Sequence, residues 1–288
     1  MPARAAPIQA LNSFAQVGVG NHEIDTHENH FHSAQGNDSG GECGVATLKR
    51  FPQFASLSDM WCGRARSIEC MGRVTLRPRY SFSYGLVHII VLSSEHPQEP
   101  QVEFFLKDMA AVQRSVTPWV IVHLHRQAID ITYISLARTF IEPTLQAAFH
   151  FVSKGQTRRG ACSDVAPALC AVRLHCASLF ALAAHVCVLR RWEIDFVMAG
   201  HVHYYERLCA VEDMYSCSVH RDRPIYIADG SAGAEFDPRA TPPSNLTMHK
   251  EFSYWGYSRF AVTAESLTFT HYRTDNRESD KVVLPRKK

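Results

Sequence analysis

Ile194-Asp195-Phe196-Val197-Met198-Ala199-Gly200-His201-Val202-His203-Tyr204-Tyr205-Glu206-Arg207 decides the fold, because a largely apolar run, Ile194 to Ala199, ends in a glycine followed by two histidines on alternating positions. The apolar run reads as a buried strand. A strand puts residues i and i+2 on one face, so His201 and His203 are expected to aim their imidazoles at one point just beyond its end. Gly200 is expected to let the backbone approach closely there. Taken alone, His-x-His equally describes two partly exposed loop histidines; the metal reading gains weight from other stretches of the same form.

Trp119-Val120-Ile121-Val122-His123-Leu124-His125-Arg126 is such a stretch, a second buried strand running into histidine. Before it, Val102, Phe105, Leu106, Met109 and Val112 recur at helical spacing and predict an amphipathic helix over 101–114. Tyr80, Phe82 and Tyr84 alternate as in a half-buried strand, and Leu86 to Leu92 is continuous apart from His88. A third strand is expected from Phe14 to Val19, stopping at Gly20-Asn21-His22-Glu23. An asparagine oxygen is a hard neutral ligand, and His22 beside it is placed to face an anion; the same four residues also make an ordinary strand-to-loop turn. Strand, helix, strand with candidate ligands at strand ends predicts an α/β layered fold whose site lies at one edge of a sheet. Pro224 to Asp229 reads as a further strand, and 257–273 as a β-hairpin through Ala264-Glu265-Ser266.

The remaining stretches carry less chemistry. Short helices are expected over 2–12 and over Ser178 to Arg191, the latter with a basic C-terminal end. Residues 127–191 are rich in Ala, Leu and Cys, with cysteines too irregularly placed for a zinc ribbon. Gly36 to Gly44 is glycine-rich but has no P-loop lysine, which argues against a nucleotide cradle.

The 288 residues, 46% of them apolar, are enough to bury a real core. A formal charge of +2 gives no reason to expect a nucleic-acid partner, and no segment has the roughly 18 apolar residues a membrane span needs. Nine cysteines leave the compartment open. Cys209 and Cys217 are spaced as in a small disulfide loop, and Asn37-Asp38-Ser39 and Asn245-Leu246-Thr247 are glycosylation sequons. These point to secretion, whereas Met1 to Gln16 contains no apolar h-region of a signal peptide.

Gly20-Asn21-His22-Glu23, Val122-x-x-His125 and Gly200-His201-x-His203, in that order, resemble three of the five metal-binding motifs of the purple acid phosphatases, within the calcineurin-like metallophosphoesterases. Between the motifs, Tyr80-Ser81-Phe82-x-Tyr84-Gly85, Leu92-Ser93-Ser94-Glu95-His96, Thr117-Pro118-Trp119, Tyr205-Glu206-Arg207 and Tyr226-Ile227-x-Asp229-Gly230 are similar to landmarks of that family. The resemblance implies a β-sandwich core flanked by helices, in one incomplete domain over 1–288 that lacks the first strands, with 127–191 as an insert and 257–288 as a C-terminal hairpin region. It implies secretion and hydrolysis of a small phosphoric monoester at a dinuclear centre of ferric iron with zinc, manganese or ferrous iron. Asn21, His125 and His201 then resemble ligands of the divalent metal, His203 a ligand of the iron, and His22 the catalytic, phosphate-contacting residue. Val120-x-x-His123 also fits the second motif's spacing, but Arg126 aligns His125 better.

Two departures shape the expectation. The Asp-x-Gly and Gly-Asp-x-x-Tyr motifs, which supply the bridging aspartate and the coloured tyrosinate in the family, are not found in the 19 residues before Gly20, so the chain reads as N-terminally truncated. No Pro-Met-Tyr follows Arg126, which leaves the general acid unplaced. The alternative to an active phosphatase is therefore an impaired remnant that binds at most one divalent metal; a purely structural zinc site at His125, His201 and His203 is a third reading.

Overall fold

The computed structural model describes residues 17–23, 50–51, 79–94, 99–127, 192–210, 217–218, 223–237 and 244–287. Expectations for 2–12, for the glycine-rich turn, for Asn37, for Glu95-His96 and for Ser178 to Arg191 lie outside them.

Two sheets and one helix are built from the described residues. The strands are β1 (Tyr80–Tyr84), β2 (Val87–Val91), β3 (Trp119–His123), β4 (Phe196–Ala199), β5 (Tyr205–Ala210), β6 (Ile225–Asp229), β7 (Thr247–Glu251), β8 (Gly256–Val262), β9 (Ser266–Arg273) and β10 (Glu278–Pro285), and the helix α1 (Glu99–Ala111) joins β2 to β3. Seven strands form one sheet in the order β1-β2-β3-β4-β6-β5-β7, and three form a second in the order β10-β9-β8. In the larger sheet β2, β3, β4 and β6 run parallel, while β1, β5 and β7 close the edges antiparallel. The hairpin expected over 257–273 is β8–β9, paired from Gly256↔Arg273 to Val262↔Leu267.

Side-chain alternation sorts the two faces of the large sheet. Ile90, Val120, Val122, Val197 and Tyr226 point one way and pack against Phe105 and Met109 of α1. Trp119, Ile121, Phe196, Ile225 and Ile227 point the other way and pack against Leu267 and Phe269 of the small sheet. Because both faces are covered, the central strands read as continuous apolar runs rather than alternating ones. His88 shares the helix-facing side of β2 with Ile90, and its Nε2 lies 2.7 Å from Asp108 Oδ2 on α1. That contact explains the one polar interruption of the strand. Trp119 reaches across to the small sheet, where its Nε1–H donates to the Thr263 carbonyl at 2.8 Å. The structure is thus a mixed, sheet-rich α+β layering, helix on sheet on sheet, of the metallophosphoesterase kind expected from the sequence.

The expected strand before Gly20 differs in the structure. Val17 to Val19 is not strand, although Tyr80 Oη donates to the Val17 carbonyl at 2.8 Å and holds this segment beside β1. β4 stops at Ala199, where the apolar run was expected to end, and β3 stops at His123, so His125, His201 and His203 sit in the loops beyond the strands.

Candidate metal centre

The loops that follow β3 and β4 leave the same end of the parallel sheet, where ligand sites of such sheets form. They are stitched together: Leu124 N–H donates to the Met198 carbonyl at 3.0 Å, and Gly200 N–H to the His125 carbonyl at 2.9 Å. Asn21 arrives from the turn Gly20 to Glu23, which closes when Glu23 N–H donates to the Gly20 carbonyl at 3.2 Å and Gly20 N–H to Glu23 Oε2 at 2.9 Å. Gly20 is required by close approach: a Cβ there would lie 2.8 Å from His125 Cε1.

His201 and His203 do not alternate along a strand. His201 has a φ of 62°, in the left-handed region that a residue with a Cβ adopts at a cost. Val202 N–H then donates to the Gly200 carbonyl at 2.7 Å and Tyr204 N–H to the Val202 carbonyl at 2.9 Å, which folds the segment into consecutive tight turns. The backbone bends, and the two imidazoles part. The close backbone approach expected at Gly200 is found at Gly230, where a Cβ would land on the Val202 carbonyl oxygen; at Gly200 the nearest atoms are 4.0 Å away.

Three of the four predicted ligands converge. Asn21 Oδ1 lies 2.7 Å from His125 Nε2 and 3.2 Å from His201 Nδ1, and the two imidazole nitrogens are 3.1 Å apart. Their rings meet edge to face, at 72°. Asn21 is buried and His201 partly so. His203 is exposed, and its Nδ1 contacts the Glu235 carbonyl at 2.8 Å. His22 is exposed beside Asn21. Burial, then the positive charge of Arg126 and of the neighbouring His125, His203 and His22, holds the His201 pKa down to about 3. Its ring is neutral at ordinary pH, the form that ligates metal.

The donor set fits a divalent cation. Ligands ~2.1 Å from a tetrahedral zinc stand about 3.4 Å apart, close to the spacing seen here, and two imidazole nitrogens with an amide oxygen suit zinc or manganese. His123, the competing candidate of the second motif, points elsewhere: it lies against Gly18, with its Nδ1 buried and unpartnered, and burial followed by the charge of His125 lowers its pKa to about 4.

Sequence reasoning left Arg126 out of the site, although it follows His125 directly. Its backbone N–H donates to Ser94 Oγ at 2.9 Å, and its Nη1 lies 2.8 Å from His201 Nε2. Further along the chain, Cys209 of β5 is disulfide-bonded to Cys217. Asn245, of the second sequon, lies exposed in the turn before β7.

Comparison with known proteins points the same way as the geometry. Residues 223–282 match the family model described as iron/zinc purple acid phosphatase-like protein C. Over 292 aligned positions the chain is 24% identical to probable inactive purple acid phosphatase 9 of Arabidopsis thaliana, covering 93% of this chain and 37% of that protein. It is 23% identical to a nucleotide pyrophosphatase/phosphodiesterase of Hordeum vulgare, covering 95% of this chain and 63% of that one. The chain therefore spans less than two thirds of the length of these relatives. The solved structure of the purple acid phosphatase PPD1 from yellow lupin (Lupinus luteus) seeds superposes with a TM-score of 0.59 at 21% identity, over 93% of this chain and 40% of that one, and shares the fold. With three ligand motifs meeting in space, a family segment through β6 to β10 and relatives aligned along nearly its whole length, the chain is similar to the purple acid phosphatases in sequence and shares their fold.

Proposed function

We propose that this chain carries the divalent-metal part of a phosphoesterase centre that hydrolyses small phosphoric monoesters, with Asn21, His125 and His201 holding the cation. The observation that carries this reading is the convergence of Asn21 Oδ1, His125 Nε2 and His201 Nδ1 within 3.2 Å of one another. Such a cation supplies Lewis-acid polarisation of a phosphoryl oxygen. The chain's own residues do the rest: Gly20 admits the His125 ring, the two stitched loops hold the imidazoles in register, and the exposed His22 stands next to Asn21 to meet the phosphate. Iron as a second metal rests on the resemblance to the purple acid phosphatases, with His203 as its ligand. Secretion is supported by the Cys209–Cys217 disulfide, a bond that persists in oxidising compartments.

A second reading, in which the chain binds one divalent ion and turns over poorly, is favoured by a specific contact. His203 is turned onto the Glu235 carbonyl rather than towards the other three residues. The word inactive in the name of the Arabidopsis relative agrees with this reading. Both readings are tested by assaying the full chain on p-nitrophenyl phosphate with added zinc, manganese and iron, beside His201→Ala and His203→Ala. Turnover lost in both variants supports the two-metal enzyme. Zinc binding without turnover, abolished by His201→Ala and indifferent to His203→Ala, supports the single-ion reading.

A further inference from the structure

A guanidinium is a hydrogen-bond donor only. Arg126 Nη1, 2.8 Å from His201 Nε2, must therefore donate, and Nε2 must offer its lone pair. A ring whose Nε2 accepts carries its proton on Nδ1. Nδ1 is the atom that faces Asn21 Oδ1 at 3.2 Å and His125 Nε2 at 3.1 Å, the point where a cation would sit. A protonated nitrogen has no lone pair to give. In the tautomer that could ligate, Nε2 would bear the hydrogen and face a guanidinium that has nothing but donors.

Metal-bound histidines ordinarily give their second N–H to a carboxylate or carbonyl, which fixes the ligating tautomer; here the partner has the opposite sense. The guanidinium is also not free to drift. Its residue follows His125 directly, its N–H is held by Ser94 Oγ at 2.9 Å, and the loop it sits on is bonded to Gly200 through the His125 carbonyl at 2.9 Å.

Building on the metal-centre reading above, we propose that Arg126 is a positioning residue that holds His201 in the tautomer unable to ligate through Nδ1, so that the centre accepts a divalent cation only after the guanidinium leaves Nε2. Arg126 thereby sets the affinity of the site from outside the ligand set. A side chain of similar reach that can accept, such as glutamine, would reverse the effect by taking the Nε2–H.

The test uses the full chain with 15N-labelled histidine and isothermal titration with zinc. Without metal, two-bond proton–nitrogen correlations should show His201 as the Nδ1–H tautomer in the natural chain and as Nε2–H in Arg126→Gln. Zinc should bind Arg126→Gln ten- to a hundredfold more tightly than the natural chain, the range over which partners of a ligating histidine act, and Arg126→Met, which removes the donor without supplying an acceptor, should fall between. An Nε2–H tautomer in the natural chain, or affinity that is unchanged or weakened in both variants, overturns the proposal. Zinc binding that persists in His125→Ala instead overturns the metal-centre reading, and this inference with it.

Discussion

Between the two sheets Asp280 receives Tyr205 Oη at 2.7 Å and Arg207 Nε and Nη2 at 2.6 and 2.9 Å, whereas at the end of the parallel strands Arg126 meets no carboxylate in His201 but an imidazole lone pair. Both clusters are made of arginine, histidine and short oxygen donors. In the first, the carboxylate of Asp280 meets a guanidinium and a hydroxyl, partners of the opposite kind. Tyr205 stacks on His271 with ring centroids 3.8 Å apart, and His271 lies 3.1 Å from Ser258 Oγ, which in turn donates to Asp229. Burial would raise the Asp280 pKa, but the bonds and charge of Arg207 and Tyr205 outweigh it and hold the carboxyl below the usual range. In the second cluster two imidazole nitrogens and an amide oxygen crowd one point, and the guanidinium beside them holds the far nitrogen of one ring. A charge-paired network fixes two layers together, whereas the guanidinium of the second cluster bears on an imidazole.

The largest effect should come from breaking the charge-paired cluster. Arg207→Met leaves Asp280 buried and unpaired, and the loss expected from removing one partner of a buried pair is about 3–5 kcal/mol, read as a fall in the urea midpoint. An equal stability of this variant and the natural chain would erase the contrast between the clusters.

Acid should act next, and through the other region. The His123 pKa is lowered from 6.5 to about 4, so the folded chain prefers the neutral ring, and its contribution, complete above pH 6.5, is lost as pH falls from 6.5 towards 4. That gap corresponds to at most about 3 kcal/mol. Urea midpoints of the natural chain should drop between pH 7 and pH 4.5, and His123→Gln should flatten that dependence. Asp280 and Asp229, whose pKa values are depressed, contribute above the unfolded carboxylate range and fail only below about pH 4, so the two regions lose stability in separate windows.

A smaller loss, about 2–3 kcal/mol for so short a loop, is expected from the double replacement Cys209→Ala with Cys217→Ala, measured by thermal unfolding under non-reducing conditions. The smallest concerns the site itself. Asn21→Ala should lower the stability of the metal-free chain by only about 1 kcal/mol, the net contribution of the hydrogen bond between its Oδ1 and His125 Nε2. It should also abolish the rise in melting temperature that zinc gives the natural chain. A large loss without metal would make Asn21 a structural residue of the Asp280 kind.

The elements themselves were legible where burial alone shapes a sequence. β2, β3, β4 and β6 are apolar runs because both faces of the sheet are covered, α1 shows its helical period because only one face is, and the β8–β9 hairpin declares itself by alternation and turn residues. β5, β7 and β10 were not legible. Their charged residues look solvated in the sequence, yet Glu206 is buried against Thr247 and Lys250, Arg207 against Asp280, and β10 lies at the rim of the small sheet. Pairing across long sequence separations decides such strands, and no local pattern reports it.

For the site, the candidates can be named before any fold is known: Asn21, His125 and His201 stand in motifs whose order and spacing are local properties of the chain. How they meet is a property of the folded chain alone. The left-handed turn at His201 separates it from His203, the Val202 carbonyl packed against Gly230 holds that turn, and Arg126 reaches the far nitrogen of a ring 75 positions away. The reason is physical. A side chain's chemical type is written residue by residue, but the direction of a lone pair depends on backbone dihedrals and on donors brought in from other strands, and these exist only once the sheet has assembled.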